Sequence, residues 1–499
     1  MSHWFPGGSP LTAADYLLVG AVLAALCAVG WRTGARAASG DDYLLAGRRL
    51  PWPAAGLALT AAEISALTVL GVAAFSFRAD WTSLQLFLGA AAARVLVAVL
   101  FVPAFHRGRG RTIYGVLGER FGPLTRAAAA GAFLVARLLT SAVRLLVACA
   151  AAGALLGWGL PPTLLLLTAL SLVLLVRGGV EPAVWTGALE TLVVLGAAAL
   201  TVVYLLHRTD GGLPAALNLA FAAGKLRVLD WGPSPLAPGF LDSFFNNPGL
   251  LVAAVLTGFM GSAAAFGTDH ELAQKLMVVP DAAAGRKALF LSIAGSLAVL
   301  LVYLSVGTLL FIYYKQNPGM ALPDQLSRVL PNFAVTVMPP LARGAVLAAV
   351  LAAAADSPLP SLSAAFVDDL WRPLARRAPS PAAELKGARA AAAGFAFVLA
   401  ALTALLGVSD AALGVAFKAG AAAAGPLLGV FLLALTSERG GDAEALAALV
   451  VSMGLCALLL LLEETGRLPF GWSWLVPVGA AAAYGLGWGL ARPRARPKR

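Results

Sequence analysis

Apolar residues come in long blocks from one end of this chain to the other. The blocks fall at about residues 12–31, 52–75, 82–104, 127–156, 161–176, 183–206, 247–267, 288–313, 336–366, 390–408, 411–436, 443–462 and 473–491. Most approach the roughly 20 residues that an α-helix needs to cross a bilayer. In lipid a lone strand would leave its backbone groups unpaired, so each block is read as a helix. The pattern predicts an all-α polytopic membrane protein of about thirteen transmembrane helices, one domain over residues 1–499. The leader before the first block has no Lys or Arg, and the block is long for a cleavable signal, so it reads as a retained helix. Residues 207–246 hold Gly211, Gly212, Pro233, Pro235 and Pro238, and read as an extracytoplasmic loop with a short surface helix.

Composition narrows the class. Of 499 residues 60% are hydrophobic and 12% charged, whereas soluble domains carry about 25% charged residues. Mean hydropathy is +0.84. A water-soluble enzyme is excluded. The net charge of +11 has a direction as well as a size. Counting alternate loops puts twenty-four Lys and Arg on one side and eight on the other. The positive-inside rule then sets the N-terminus outside and the C-terminus in the cytoplasm of a multi-pass cell-membrane protein. The basic tail, residues 492–499, reads as a topology anchor against anionic lipid, with no nucleic-acid partner implied. Cys27, Cys149 and Cys456 lie in apolar blocks without paired spacing, which argues against a disulfide framework or a zinc site.

Ionisable residues at membrane depth are costly and therefore informative. Here they are Glu63, Arg94, Arg137, Arg144, Glu190, Asp356 and Lys418. Arg137 and Arg144 are seven residues apart and share one helix face. Two cations there require carboxylates, carbonyls or an anionic ligand, and pairing with Glu190 or another acid is the simplest arrangement. No metalloprotease, nucleophile-elbow or phosphate-loop motif occurs, and no repeated filter loop. Polar, Gly-interrupted helices in a many-span bundle fit a secondary transporter better than an enzyme or a channel.

Five segments carry a family resemblance. They are DYLLAGRRLPW at 42–52 with AAEISA at 61–66, RTIYGVLGERFG at 111–122, GTDHELAQK at 267–275, DSPLPSLSAAFVDDLWRP at 356–373, and GPLLGVF at 425–431. In this order they resemble the sodium:solute symporter family. The resemblance implies a ten-helix core of two inverted five-helix repeats (LeuT-type), with one helix before it and two after. It implies a secondary active transporter that moves a small polar organic solute by alternating access, with Na+ as the coupling ion and no other cofactor. Core helix 1 would be 52–75 and core helix 6 would be 247–267, both broken near the midplane. Gly56, Gly71, Gly258 and Gly261 permit such breaks, or else close packing.

The resemblance also assigns positions. The main sodium site would use Ala61 and Ile64 on core helix 1, and Val350, Ala353 and Ala354 on core helix 8. The last two stand where the family has hydroxyls, and a methyl offers a hard cation nothing. At 185–190 the chain reads WTGALE, with Gly187 where some members carry a sodium-binding Asp and Glu190 one turn on. Pro358 and Pro360 predict a bend or early end in core helix 8. Thr68, Arg137, Arg144 and Lys418 are the candidates for solute contact. An Arg on core helix 3 holds the substrate carboxylate in sialic-acid-type relatives, which suggests an anionic or polyhydroxy solute. Glu63, Glu190 and Asp356 are the coupling candidates. Three readings stay open: a symporter with weak or altered sodium coupling; a proton-coupled or uncoupled carrier, with Glu190 titrating or Lys418 as a fixed charge in place of sodium; and a transport-defective sensor or scaffold.

Overall fold

The computed structural model describes residues 11–490, except 109, 235, 324, 356, 376–379, 408–409 and 469. Among them the secondary structure is entirely helical. The elements used below are α1 (Ala13–Gly34), α2 (Trp52–Glu63), α3 (Ala66–Arg78), α4 (Ser83–Arg107), α5 (Pro123–Leu156), α6 (Leu160–Leu175), α7 (Val180–Arg208), α8 (Leu251–Thr268) and α9 (His270–Met277). They continue with α10 (Ala282–Gln316), α11 (Ala342–Ala355), α12 (Leu359–Ala365), α13 (Pro381–Leu406), α14 (Asp410–Thr436), α15 (Asp442–Glu464) and α16 (Leu475–Leu490).

Among the described residues each apolar block contains helix, with interruptions that include 64–65 and 337–341. Among the described residues ten helical stretches are long and apolar enough to cross a membrane, and the bent pair α2–α3, taken as one span, makes an eleventh. The blocks at 161–176 and 473–491 become α6 and α16, each 16 residues. At 1.5 Å per residue these span about 24 Å, somewhat less than the hydrocarbon core. Residues 207–246 contain two short helices, Gly212–Ala222 and Phe240–Asn246.

The break between α2 and α3 positions the site. Ile64 (φ −80°, ψ 135°) and Ser65 (φ −145°, ψ 167°) leave the helical region, and the axis turns by 60°. Ser65 then caps α3: its hydroxyl accepts the Thr68 N–H at 3.3 Å, as serine does at helix starts. The Thr68 hydroxyl donates back to the Glu63 carbonyl at 3.2 Å. The broken pair packs between α7 and α10, with α5 and α11 alongside.

Two expectations about glycine are corrected. The first break lies at Ile64–Ser65, at neither Gly56 nor Gly71. The second core helix, α8, runs unbroken through Gly258 and Gly261 to Thr268, and the chain departs from helix only at Asp269 (φ −84°, ψ 117°). Gly258 is a packing glycine: a Cβ there would collide with the Leu86 carbonyl of α4. At Pro358 and Pro360 the helix is interrupted: among the described residues α11 stops at Ala355 and α12 begins at Leu359 with Pro358 as its cap.

A candidate solute and ion site at the broken helix

The long helix α5 carries Arg137 and Arg144 two turns apart, about 10 Å along one face. Their partners differ in kind. Arg137 Nη1 donates to Asp269 Oδ2 at 2.9 Å, and its Nη2 pairs closely with Glu271 Oε2. Glu271 also meets Lys275 Nζ at 3.5 Å. These acids stand at the α8–α9 joint, where Asp269 caps α9 by accepting the Glu271 N–H at 2.8 Å. The expected pairing with Glu190 or another acid includes Asp269 and Glu271 on Arg137. Both lie in the motif at 267–275, which carried the resemblance but was given no role; its acid pair was the available signal.

Arg144 meets backbone. Its Nη2 donates to the carbonyls of Ala62 at 3.0 Å and Ile64 at 3.1 Å. The end of α2 leaves carbonyls without helical partners, and the helix dipole makes that end partially negative. A guanidinium answers both needs. No described carboxylate lies within ion-pair distance of Arg144.

Two cavities meet at these arginines. The smaller, about 40 Å³, is lined among others by Ser65, Ser141, Arg144, Glu271, Ala353 and Ala354. It has room for about three waters. The larger, about 280 Å³, lies between α5, α8 and α14, with Arg137, Thr140, Arg144, Gly261, Asp269 and Gly420 in its wall. Gly261 is open to this space, with nothing within 4 Å of a Cβ built there.

Other candidates lie elsewhere. Lys418 lines neither cavity; Glu463 and Glu464 hold it at 3.0 and 2.6 Å. It therefore fails as the fixed charge at a sodium position. Thr68 braces the break. Glu63 turns away from the cavities to pair with Arg94 and to accept the Ser296 hydroxyl at 2.5 Å. Glu190 is buried on α7 and lines neither cavity. Asp356 and the tail 492–499 fall outside the described residues.

The sodium positions can be tested residue by residue. The Ala61 carbonyl accepts the Ile64 N–H at 2.8 Å. The Ile64 carbonyl is taken by Arg144. Ala353 and Ala354 put methyls against the small cavity, and Val350 is buried outside it. These residues do not fit a sodium ion.

Comparison with known proteins joins this geometry to a family. The sequence model of the sodium:solute symporter family matches residues 43–452. The chain belongs to that family. It is accordingly a multi-pass membrane transporter built for alternating access, and its core is LeuT-type. It is 27% identical over 450 residues to the sodium/sialic acid symporter SiaT of Proteus mirabilis, covering 88% of each chain. It is 26% identical over 447 residues to the sodium/sialic acid symporter NanT of Aliivibrio fischeri, covering 88% of this chain and 86% of that one. The solved structure of a Na+-coupled sialic acid symporter in a substrate-bound, outward-open state shares the fold. Its TM-score is 0.84 at 23% identity, with 95% of this chain and 97% of that chain covered.

Proposed function

We propose that this transporter carries a small polar organic anion, a polyhydroxy carboxylate, and binds its carboxylate at Arg144. The observation that carries the reading is the position of that guanidinium. It stands at the helix break where two cavities meet, and uses only Nη2 on the described protein. Nε and Nη1 bond no described protein group, and either can donate a charge-assisted hydrogen bond to a carboxylate. The surrounding hydroxyls of Ser65, Ser141 and Thr140 suit a hydroxylated solute. The family symporters named for sialic acid handle a solute of this chemistry. The arginine asymmetry of the loops supports an outside N-terminus and a cytoplasmic C-terminus.

Uptake into proteoliposomes tests the solute class. Sialic acid, glucuronate and their methyl esters are offered alongside glucose. Free acids are expected to enter and the esters not. A charged hydrogen-bonded pair contributes about 1.5–3 kcal/mol, so Arg144→Gln is expected to lower uptake roughly ten- to hundredfold. Esters or glucose entering as fast as the acids would refute the anion reading.

A further inference from the structure

We infer that Arg144 is a cation built into the chain at the α2–α3 break, and that this break needs no sodium. Three independent observations converge on it. First, the two carbonyls at the end of α2 that face α5, Ala62 and Ile64, both accept from a single Arg144 nitrogen, at 3.0 and 3.1 Å. A hard cation at the same place would have to displace that nitrogen to reach them. Second, α11 itself presents to the small cavity the methyls of Ala353 and Ala354, which ligate nothing, and the Ser357 that also lines it lies beyond the end of that helix. Third, the remaining carbonyl, Ala61, already accepts a backbone N–H.

The consequence concerns coupling. In a transporter whose break is closed by a dissociable ion, ion binding and helix geometry are linked, because a ligand shifts a conformation only by its differential affinity. Here the ligand is covalently attached and cannot leave. The geometry of the break is set without an ion from solution, and a sodium gradient has no purchase at this position. The same side chain offers Nε and Nη1 to the proposed carboxylate. That solute role rests on the preceding section, whereas the cation role of Nη2 does not.

The test therefore omits solute, and its outcome is independent of the solute class. Thermal unfolding of the full purified chain in detergent is followed in sodium chloride, in choline chloride of equal ionic strength, and in choline chloride with a few millimolar guanidinium chloride. Anything that binds the native state alone raises its apparent stability. The wild type is expected to unfold at the same temperature in all three. Arg144→Ala opens the place, and its unfolding temperature is expected to rise by several degrees with guanidinium over choline, whereas sodium, left with two carbonyls and two methyls, adds nothing. Arg144→Lys keeps a tethered charge and is expected to be insensitive to sodium, which carries the test if the alanine variant does not fold. Sodium-specific stabilisation of the wild type or of Arg144→Lys overturns the inference. So does an Arg144→Ala protein that folds and gains nothing from guanidinium, or gains as much from sodium.

Discussion

At the scale of single residues, the charges inside the bundle do three different jobs that one-letter codes do not separate. Glu63 and Arg94 illustrate this. Arg94 is 2% exposed at its side chain, lies over the Phe266 ring at 4.4 Å, and donates to Ser292 and Ser296 as well as pairing with Glu63. Through it Glu63 ties the end of α2 to α4 and α10. Removing one partner of such a pair strands a buried charge and costs about 3–5 kcal/mol, whereas removing both is far milder. Glu63→Gln, which strands the buried Arg94, is thus expected to lower the unfolding temperature more than the double change Glu63→Gln with Arg94→Met. Equal losses in the two would mean that the pair is not an energetic unit. The sequence marked both residues as notable because charge in lipid is rare. It did not pair them, since they are 31 positions apart with no local periodicity to link them. Lys418 shows the same limit: only the folded chain brings it to Glu463 and Glu464, 45 and 46 positions away.

At the scale of elements, helix existence was legible and helix interruption much less so. A block of apolar residues in lipid has one stable backbone solution, so the apolar blocks became helices, although 336–366 divides into α11 and α12 among the described residues. A glycine, by contrast, permits either a break or a close approach, and the choice depends on what stands opposite. Opposite Gly258 stands the Leu86 carbonyl of α4; opposite Gly89 of α4 stands the Val255 carbonyl of α8. The two helices therefore approach through reciprocal glycines, the small-residue packing that membrane bundles use where no hydrophobic force draws helices together. The true break at Ile64–Ser65 has a readable cue in hindsight, a serine suited to cap the next helix. The prediction here is specific to position. Gly258→Val should force α4 and α8 apart and cost about 1–3 kcal/mol, as overpacking does. Gly71→Ala meets open space and should cost little, since alanine also favours helix over glycine. Unfolding midpoints of the two variants that fell in the opposite order would show that α4 and α8 do not depend on this contact.

At the scale of the whole molecule, the ion pairs at the basic face look like the fastening of one side of an alternating-access cycle. Arg111 bonds Asp41 and Glu384, each at 2.9 Å, and approaches Asp368 at 3.7 Å. Arg126 meets Asp369 at 2.7 Å, and Thr112 donates to the same carboxylate at 2.8 Å. Together these bonds join the segment before α2, the segment leading into α5, the residues after α12, and the start of α13. That face carries most of the arginines and is the one the charge rule assigns to the cytoplasm. Solute release on that side requires these elements to separate, so the network sets part of the cost of opening. Arg111 is only 13% exposed, which spares its bonds the full screening of surface pairs. Losing them should shift the balance toward the open state by about 1–2 kcal/mol, roughly five- to thirtyfold in population. Ala127, in the wall of the 710 Å³ recess beside this network, is a suitable reporter once Cys27, Cys149 and Cys456 are replaced by serine. A thiol at Ala127→Cys is expected to react several-fold faster with a membrane-impermeant maleimide when Arg111→Ala is added. Arg227→Ala breaks a pair with Asp80 at 2.9 Å that belongs to the opposite face by the same charge rule, and should leave the rate unchanged or slow it. If both variants accelerate labelling alike, the effect is general loosening, and the Arg111 network is not a gate.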